Sequence, residues 1–410
     1  MNDSSRYAVG IDIGTTMVRC VVARVDATTG TPSIVGVGEV PNTGMRKGTI
    51  VNLNGPAQAI DDALGEAERM SGHQVDSATV SINGTHILST TSDGMIAVGA
   101  VDHIVTTDDV ERIEEVATVG KVPPNREVLE VVPHSYRLDG QDNIKDPVGM
   151  TGTRLEIAAN VISALTPNVN TLHSILDMAK VTPNKIVPSV IAAAKAVLSE
   201  RQLENGVAVI DLGGSTTSIA VFEEGDLQYA GIISVGGNNI TNDLAIGLKT
   251  DPEIAEKVKL THGSATMQSG SESVSIKQDK DTLEFKRTDV DEIIGARLEE
   301  LFEAVAKELK KAGRFAKLPS GVVLTGGGAK LKHIDEFTKD TLGLAVRIGS
   351  AKGFGGVVEH IEEPRYATAI GLMIEDTKSH HKEQHRGSRT KSTVKHTGGF
   401  IKQFFNRLKA

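Results

Sequence analysis

The sequence predicts an α/β fold of two related lobes facing one cleft, with a small inserted subdomain and an amphipathic helix at the C-terminal end. Three observations lead there. The chain has 410 residues, beyond the size at which one hydrophobic core usually stops growing. Apolar residues make up 39% of it and aromatic ones 3%, so Val, Ile, Leu and Ala must fill the core, which suits β-branched strands covered by helices. One local pattern also occurs twice. GIDIGTTMVRCVVA and, about 200 residues later, VIDLGGSTTSIAVF share the order apolar strand, Asp, apolar residue, Gly, Thr-containing turn, apolar strand. Repetition at that distance implies two lobes of common architecture.

In chain order, YAVGIDIGTTMVRCVVARV gives two strands around a tight turn, and SIVGVGEV adds a third to make an antiparallel meander. PAQAIDDALGEAERMSG is helical in period, with Ala59, Ile60, Ala63, Leu64 and Ala67 on one face. A strand in ATVSING follows. Residues 84–160 interrupt the lobe with the strands EVLEVVPHSYRL and TRLEIAANVIS and a helix starting at Thr107, Asp108 and Asp109, which defines an inserted subdomain. The first lobe is thus expected from 1–83 and 161–195, closed by 357–374. The second is expected from 196–240 and 319–356, with an insertion at 241–318. That insertion carries helices around ITNDLAIGL, PEIAEKVKLTHG and DEIIGARLEELFEAVAKELKKAG. Its polar middle, GSATMQSGSESVSIKQDKD, reads as a mobile loop. SGVVLTGGGAKLKHI then gives a strand and Gly-rich turn, and PRYATAIGLMI a closing helix. Residues 375–397, rich in Ser, Thr, Lys, His and Arg, read as a disordered linker.

Charge and cysteine content narrow the function classes. The net charge is −9, yet residues 377–410 hold nine Lys/Arg against Glu383 alone, so the body carries −17 and the tail +8. An acidic body does not attract nucleic acid broadly, whereas the short basic tail could attract either anionic lipid or nucleic acid. The single cysteine, Cys20, can form neither an internal disulfide nor a zinc site and reads as a core strand residue in a reducing cytoplasm. The N-terminus MNDSSRYAVG lacks the basic and apolar regions of a secretory signal. No stretch reaches the roughly 18 consecutive apolar residues needed to span a bilayer.

The repeated turns carry the chemistry. A Gly/Thr-rich hairpin turn presents successive backbone N–H groups and hydroxyls, which suits phosphate oxygens. Gly14, Thr15 and Thr16 supply one such turn; Gly213, Gly214, Ser215, Thr216 and Thr217 supply the other. The lobe duplication sets them on opposite walls of one cleft, as two clamps on one polyphosphate. Each follows a carboxylate, Asp12 or Asp211, suited to hold Mg²⁺ through water or to orient an attacking water. Gly326, Gly327 and Gly328 of TGGGAKL let backbone approach a ligand at a helix start. They miss the G-x-G-x-x-G spacing of dinucleotide sites. No P-loop, H-E-x-x-H or G-x-S-x-G motif occurs.

GIDIGTT, DLGGSTT and TGGGAKL resemble the two phosphate motifs and the adenosine motif of the actin, Hsp70 and sugar-kinase superfamily. Within it the chain resembles the FtsA family of bacterial cell-division proteins, through VSINGTHI, REVLEVVPHSYRLDGQDNIKDPVGMTGTRLEI and VGGNNITNDLAIGLKTDPEIAEKVK followed by THG, in order over about residues 6–374. The resemblance implies an actin-like fold, ATP with Mg²⁺, assembly into filaments, and binding of the tubulin-like ring protein FtsZ, with later division proteins received by the inserted subdomain. It points to the insertion at 241–318 for the FtsZ contact. It also implies that Gly236 and Gly237 belong to the nucleotide site and that Glu256 and Lys259 approach the adenine and ribose. In two places the chain departs from wider superfamily relatives. VPSVIAAAKAV offers Ser189 where they hold an acidic or amide side chain, and DLGGSTTSIA ends in Ser218 where many have Asp. Slow or absent hydrolysis is therefore expected, with Asp211 the one candidate for a catalytic role. Competing readings are an FtsA-like pilus-assembly ATPase, which the C-terminal helix disfavours, and a small-molecule kinase, for which no catalytic base is found.

At about 100° per residue, Phe400, Ile401, Phe404, Phe405 and Leu408 share one face of a helix over 398–410, and Lys402, Arg407 and Lys409 lie opposite. This describes an interfacial helix that lies on a membrane. The expected location is therefore peripheral, on the cytoplasmic face of the cell membrane at the division site.

Overall fold

The structure is a computed structural model, and it describes residues 6–99, 102–267, 272–278, 281–315, 317–356 and 360–386. The first lobe is built on the strands Arg6–Ile13, Met17–Val25 and Pro32–Pro41, which run as an antiparallel meander. Ser77–Ile82 joins parallel to the first of them, and Thr182–Pro188 joins parallel beyond it. Helix Asn54–Ser71 covers one face of this sheet, burying Ala59, Ile60, Ala63, Leu64 and Ala67 as its periodicity predicts. Helix Ala367–Arg386 covers the opposite face. Glycines permit both approaches: a Cβ on Gly38 would lie 1.9 Å from the Ala63 carbonyl oxygen, and one on Gly10 2.2 Å from that of Ala369.

The second lobe repeats the plan. Val207–Leu212, Thr217–Glu223 and Asp226–Ile233 form the meander, extended by the parallel strands Val322–Thr325 and Val346–Ile348. Even the register repeats. Asp12 pairs with Arg19 and Ile13 with Val18; Asp211 pairs with Ser218 and Leu212 with Thr217. Helices Gly237–Gly247, Pro252–His262 and Arg287–Lys311 share one continuous apolar core with this sheet.

Between the halves of the first lobe sits a four-stranded antiparallel sheet of Ile87–Ala97, Arg154–Leu165, Arg126–Leu138 and Gln141–Ile144, covered by helix Thr107–Thr118. Thr106 caps that helix. Its hydroxyl accepts from the Asp109 N–H, and the Asp109 carboxylate accepts from the Thr106 N–H.

Three expectations change. The polar segment read as a mobile loop contains a hairpin of Ser273–Gln278 and Asp281–Lys286, because SVSIKQ alternates and buries Val274 and Ile276. The linker does not start at 375. Helix Ala367–Arg386 runs through that point, with Glu375 and Asp376 buried. The Asp376 carboxylate accepts from the Val9 N–H at 2.9 Å, Thr79 at 2.8 Å and Asn184 at 2.9 Å, while Glu375 pairs with Lys185 and Lys195 at 2.6 Å each. The two lysines hold the Glu375 carboxyl down at about 2 against the effect of its burial. The second lobe also closes before 356, since Gly355–Gly356 pair with the first-lobe strand Pro32–Pro41. Residues 387–397 of the expected linker and the helix expected over 398–410, with Phe400, Ile401, Lys402, Phe404, Phe405, Arg407, Leu408 and Lys409, lie outside the described residues.

Candidate functional site

The duplicated hairpins meet at the cleft. In the first, the Gly14 N–H donates to the Met17 carbonyl at 3.1 Å; in the second, the Gly213 N–H donates to the Thr216 carbonyl at 2.9 Å. Both turns need glycine there, because a Cβ would sit 2.7 Å and 2.8 Å from those same carbonyl oxygens. The turns also touch each other across the cleft. A Cβ on Gly214 would lie 2.6 Å from the Thr16 methyl. Above them opens a cavity of about 1030 Å³, lined by Thr15, Thr16, Arg46 and Lys47 of the first lobe and Ser215 and Glu256 of the second. That volume suits a nucleotide-sized ligand.

Behind the turns stand the two carboxylates. Ser81 donates to Asp12 Oδ1 at 3.0 Å, and the Ser81 hydroxyl itself accepts from the Ile13 N–H at 2.8 Å. Burial pushes the Asp12 carboxyl above its ordinary value, opposed by the Arg19 charge and by the Ser81 hydrogen bond. Asp211 is 9% exposed, and burial, then the charge of Asp12, push it up to about 7. The Asp12 charge that raises the Asp211 carboxyl would favour a cation beside the pair. Among the described residues no group of three or more His, Cys, Asp or Glu is arranged to hold a metal. A pair of carboxylates suits Mg²⁺, which keeps waters and binds through one or two carboxylates plus phosphate oxygens. Asp12 and Asp211 would hold it, and it would neutralise phosphate charge.

Each remaining expected residue has a definite place. Gly326 has φ +82°, and a Cβ there would lie 2.2 Å from Asp211 Oδ1, so this glycine lets the turn close onto the carboxylate. Gly328 packs on Leu212, while Gly327 faces open space. The triplet leads into a single 3₁₀ turn, Gly327–Lys330, and the α-helix begins later at Ile334. The N–H groups of Gly237 and Asn238 donate to the carbonyls of Gly213 and Gly214 at 2.9 and 2.7 Å, and the Gly236 N–H donates to Asn239. These backbone donors are engaged in holding the second turn. Lys259 binds Glu256 at 2.6 Å, Thr241 at 2.8 Å and the Gly237 carbonyl at 3.1 Å. It is thus part of the same support, while Glu256 faces the cavity. Ser189 is buried at the first turn of its helix with its hydroxyl 3.4 Å from the Ile82 carbonyl, and it does not line the cavity.

Two residues were not singled out from the sequence. Asn42 donates to the Gly14 carbonyl at 2.7 Å, and its own N–H donates to Thr16 O at 2.8 Å, bracing the first turn. Asn83 lies in the first lobe, yet its Nδ2 donates to Thr216 Oγ1 at 3.1 Å and its Oδ1 accepts from the Ser218 hydroxyl at 3.1 Å. The only sequence signal was its position at the end of the strand in VSING.

Comparisons with known proteins bear on this geometry. Residues 208–371 match the family described as cell division protein FtsA, and residues 84–163 match the SHS2 domain inserted in FtsA. The chain is 32% identical to cell division protein FtsA of Pseudomonas aeruginosa, covering 90% of this chain and 89% of that one. It is 35% identical to the Bacillus subtilis protein, covering 91% and 84%, and 31% identical to that of Escherichia coli K12, covering 92% and 91%. Among solved structures, the PilM-PilN type IV pilus biogenesis complex superposes with a TM-score of 0.68 at 17% identity, covering 90% of this chain and 98% of that one. MreB5 of Spiroplasma citri bound to ADP superposes with a TM-score of 0.52 at 15% identity, covering 93% and 98%. These identities speak for the fold, which is actin-like. With both family segments in place and about a third of its residues shared with the curated relatives over nine-tenths of its length, the chain belongs to the FtsA family of cell division proteins.

Proposed function

We propose that the chain binds ATP with Mg²⁺ between its lobes, assembles into filaments, and tethers FtsZ filaments of the division ring to the cytoplasmic face of the cell membrane. The observation that carries the nucleotide part is the pair of equivalent hairpins, each backed by an aspartate, facing each other beneath a cavity of about 1030 Å³. Family membership supports the division-ring partner and the receipt of later division proteins by the inserted subdomain. The basic amphipathic sequence at 398–410 supports the membrane end. Among the described residues no helix is long and apolar enough to cross a membrane, and attachment through an interfacial helix needs none. One such helix binds reversibly, and Lys or Arg near an anionic leaflet adds roughly 1 kcal/mol each. A filament presents many copies and converts weak contacts into avidity. ATP then acts as an assembly ligand with slow or absent hydrolysis, because Ser189 stands where wider relatives hold an acidic or amide side chain and offers no base.

The test is co-sedimentation of purified FtsZ with anionic vesicles in the presence of the full chain, the chain ending at Thr397, or Phe404→Glu, each with and without Mg·ATP. The full chain should carry FtsZ into the pellet and the other two should not. If the protein pellets while FtsZ stays in solution, the partner assignment falls and membrane binding stands. A phosphate-release rate typical of metabolic kinases would overturn the assembly-ligand role.

A further inference from the structure

We propose that Asn83 is a latch that passes the state of the second-lobe phosphate turn to the inserted subdomain, an inference that rests on the nucleotide reading of the cleft. Asn83 follows Ile82, the last residue of the first-lobe strand Ser77–Ile82, and four residues later Ile87 opens the inserted sheet. Its amide is engaged on three sides. Nδ2 donates to Thr216, and Oδ1 accepts from Ser218 at 3.1 Å and from the Gly84 N–H at 2.8 Å. Asparagine matches this set because its side chain is donor and acceptor at once. The loop it sits in is held to the insert by Arg126, which donates to the His86 carbonyl and to both the hydroxyl and the carbonyl of Ser163. Beside it, His86 is buried with both ring nitrogens unpartnered, and its pKa is lowered to about 4 by burial and then by Arg126, so it stays neutral and the loop carries one cation.

The insert also touches the second lobe directly. Asn160 donates to the Leu227 carbonyl at 2.6 Å, and Lys145 donates to the Glu224 carbonyl at 2.9 Å and pairs with Asp226. It is therefore rooted in the first lobe, braced on the second, and joined to the cleft at Asn83. Ser215 lines the cavity and Thr216 follows it in the turn, so a phosphate held at Ser215 would shift the turn, and Asn83, bonded to Thr216 and Ser218, would carry that shift to the loop.

The experiment is amide hydrogen exchange on the full chain, free and with Mg·ATP or Mg·ADP, for wild type, Asn83→Ala, Ser218→Ala and the double variant, alongside the ATP affinity of each. In wild type, ATP should slow exchange in residues 84–97 and 126–138 by about threefold or more. Asn83→Ala should lose that slowing and weaken ATP binding only by the coupling it removes, about threefold. Ser218→Ala should reproduce part of the loss, and the double variant should equal Asn83→Ala. A retained ATP response in Asn83→Ala, additive losses in the double variant, or abolished ATP binding in Asn83→Ala each overturn the latch. If wild type itself binds no ATP, the nucleotide reading falls and the latch is judged without ligand. Faster exchange at 84–97 in Asn83→Ala then supports it, and unchanged exchange overturns it.

Discussion

The two hairpins are the same device built twice, and they differ at the residue opposite the aspartate. In the first lobe Asp12 lies opposite Arg19 across the hairpin and accepts from Ser81, and both oppose the effect of its burial inside the lobe. In the second, Asp211 pairs across with Ser218, whose hydroxyl is directed to Asn83, and its carboxyl is pushed up to about 7. Duplication thus preserved backbone geometry and divided the electrostatic labour. Burial raises both carboxyls; Arg19 and Ser81 oppose the rise at Asp12, whereas Asp211 also feels the Asp12 charge and has Arg19 alone to oppose it.

The sharpest way to break this contrast is to neutralise each aspartate. Asp211→Asn should weaken Mg·ATP binding about a hundredfold or more, since one of two metal-facing carboxylates is lost. The same change should raise the ligand-free melting temperature by about 2–4 °C, because a buried, poorly compensated charge is removed. Asp12→Asn should lower that temperature, because the Ser81 hydroxyl loses its carboxylate acceptor and Arg19, which is paired with Glu39, loses a favourable charge beside it. Calorimetric binding and thermal melts measured together check both, and a shared sign for the two melting shifts would mean the lobes are electrostatically alike.

Next come the positions where the lobes should agree. Gly14→Ala and Gly213→Ala each force a Cβ against a backbone carbonyl, so both should cost about 1–3 kcal/mol in denaturant unfolding, and by similar amounts. A large disparity would show that the turns are not equivalent supports.

Ser81→Ala removes the donor to Asp12 and the acceptor for the Ile13 N–H within a buried site, and should cost about 1–2 kcal/mol. Asp12 then becomes more like Asp211, so its titration, followed by carboxyl NMR, should move upward. An unchanged Asp12 titration would remove Ser81 from the account.

Taken per pH unit, the smallest expected effect is the pH dependence of Asp211. Its folded pKa lies above the unfolded value, so its contribution to stability is full below the ordinary carboxylate range and is lost as pH rises to about 7. Across that window its share of the slope is at most about 1.4 kcal/mol per pH unit. Asp211→Asn should flatten the ligand-free stability curve there, and wild-type Mg·ATP affinity should weaken as pH falls below about 7. Parallel pH curves for wild type and variant would place the Asp211 pKa in its ordinary range.

Much of this was legible in the sequence. The two meanders, the aspartates and the Gly/Thr turns follow from alternating apolar residues and turn chemistry, which act over a few neighbours. Ala59, Ile60, Ala63, Leu64 and Ala67 were readable as a buried face for the same reason, while the strand expected to close the insert at 160 runs on to Leu165.

What sequence could not decide depends on partners far away. Glu375 and Asp376 look like the start of a polar linker until Lys185, Lys195, Val9 and Thr79 surround them. Gly10 and Gly38 look like ordinary strand residues until helices from elsewhere in the chain lie on them. Asn83 finds Ser218 across 135 residues of sequence. Local sequence determined where the chain is strand, turn or helix, because backbone preference and side-chain alternation are short-range. The tertiary structure alone decided how far the burial of each aspartate is opposed, because burial and the placement of opposing charge exist only once the lobes have closed on each other.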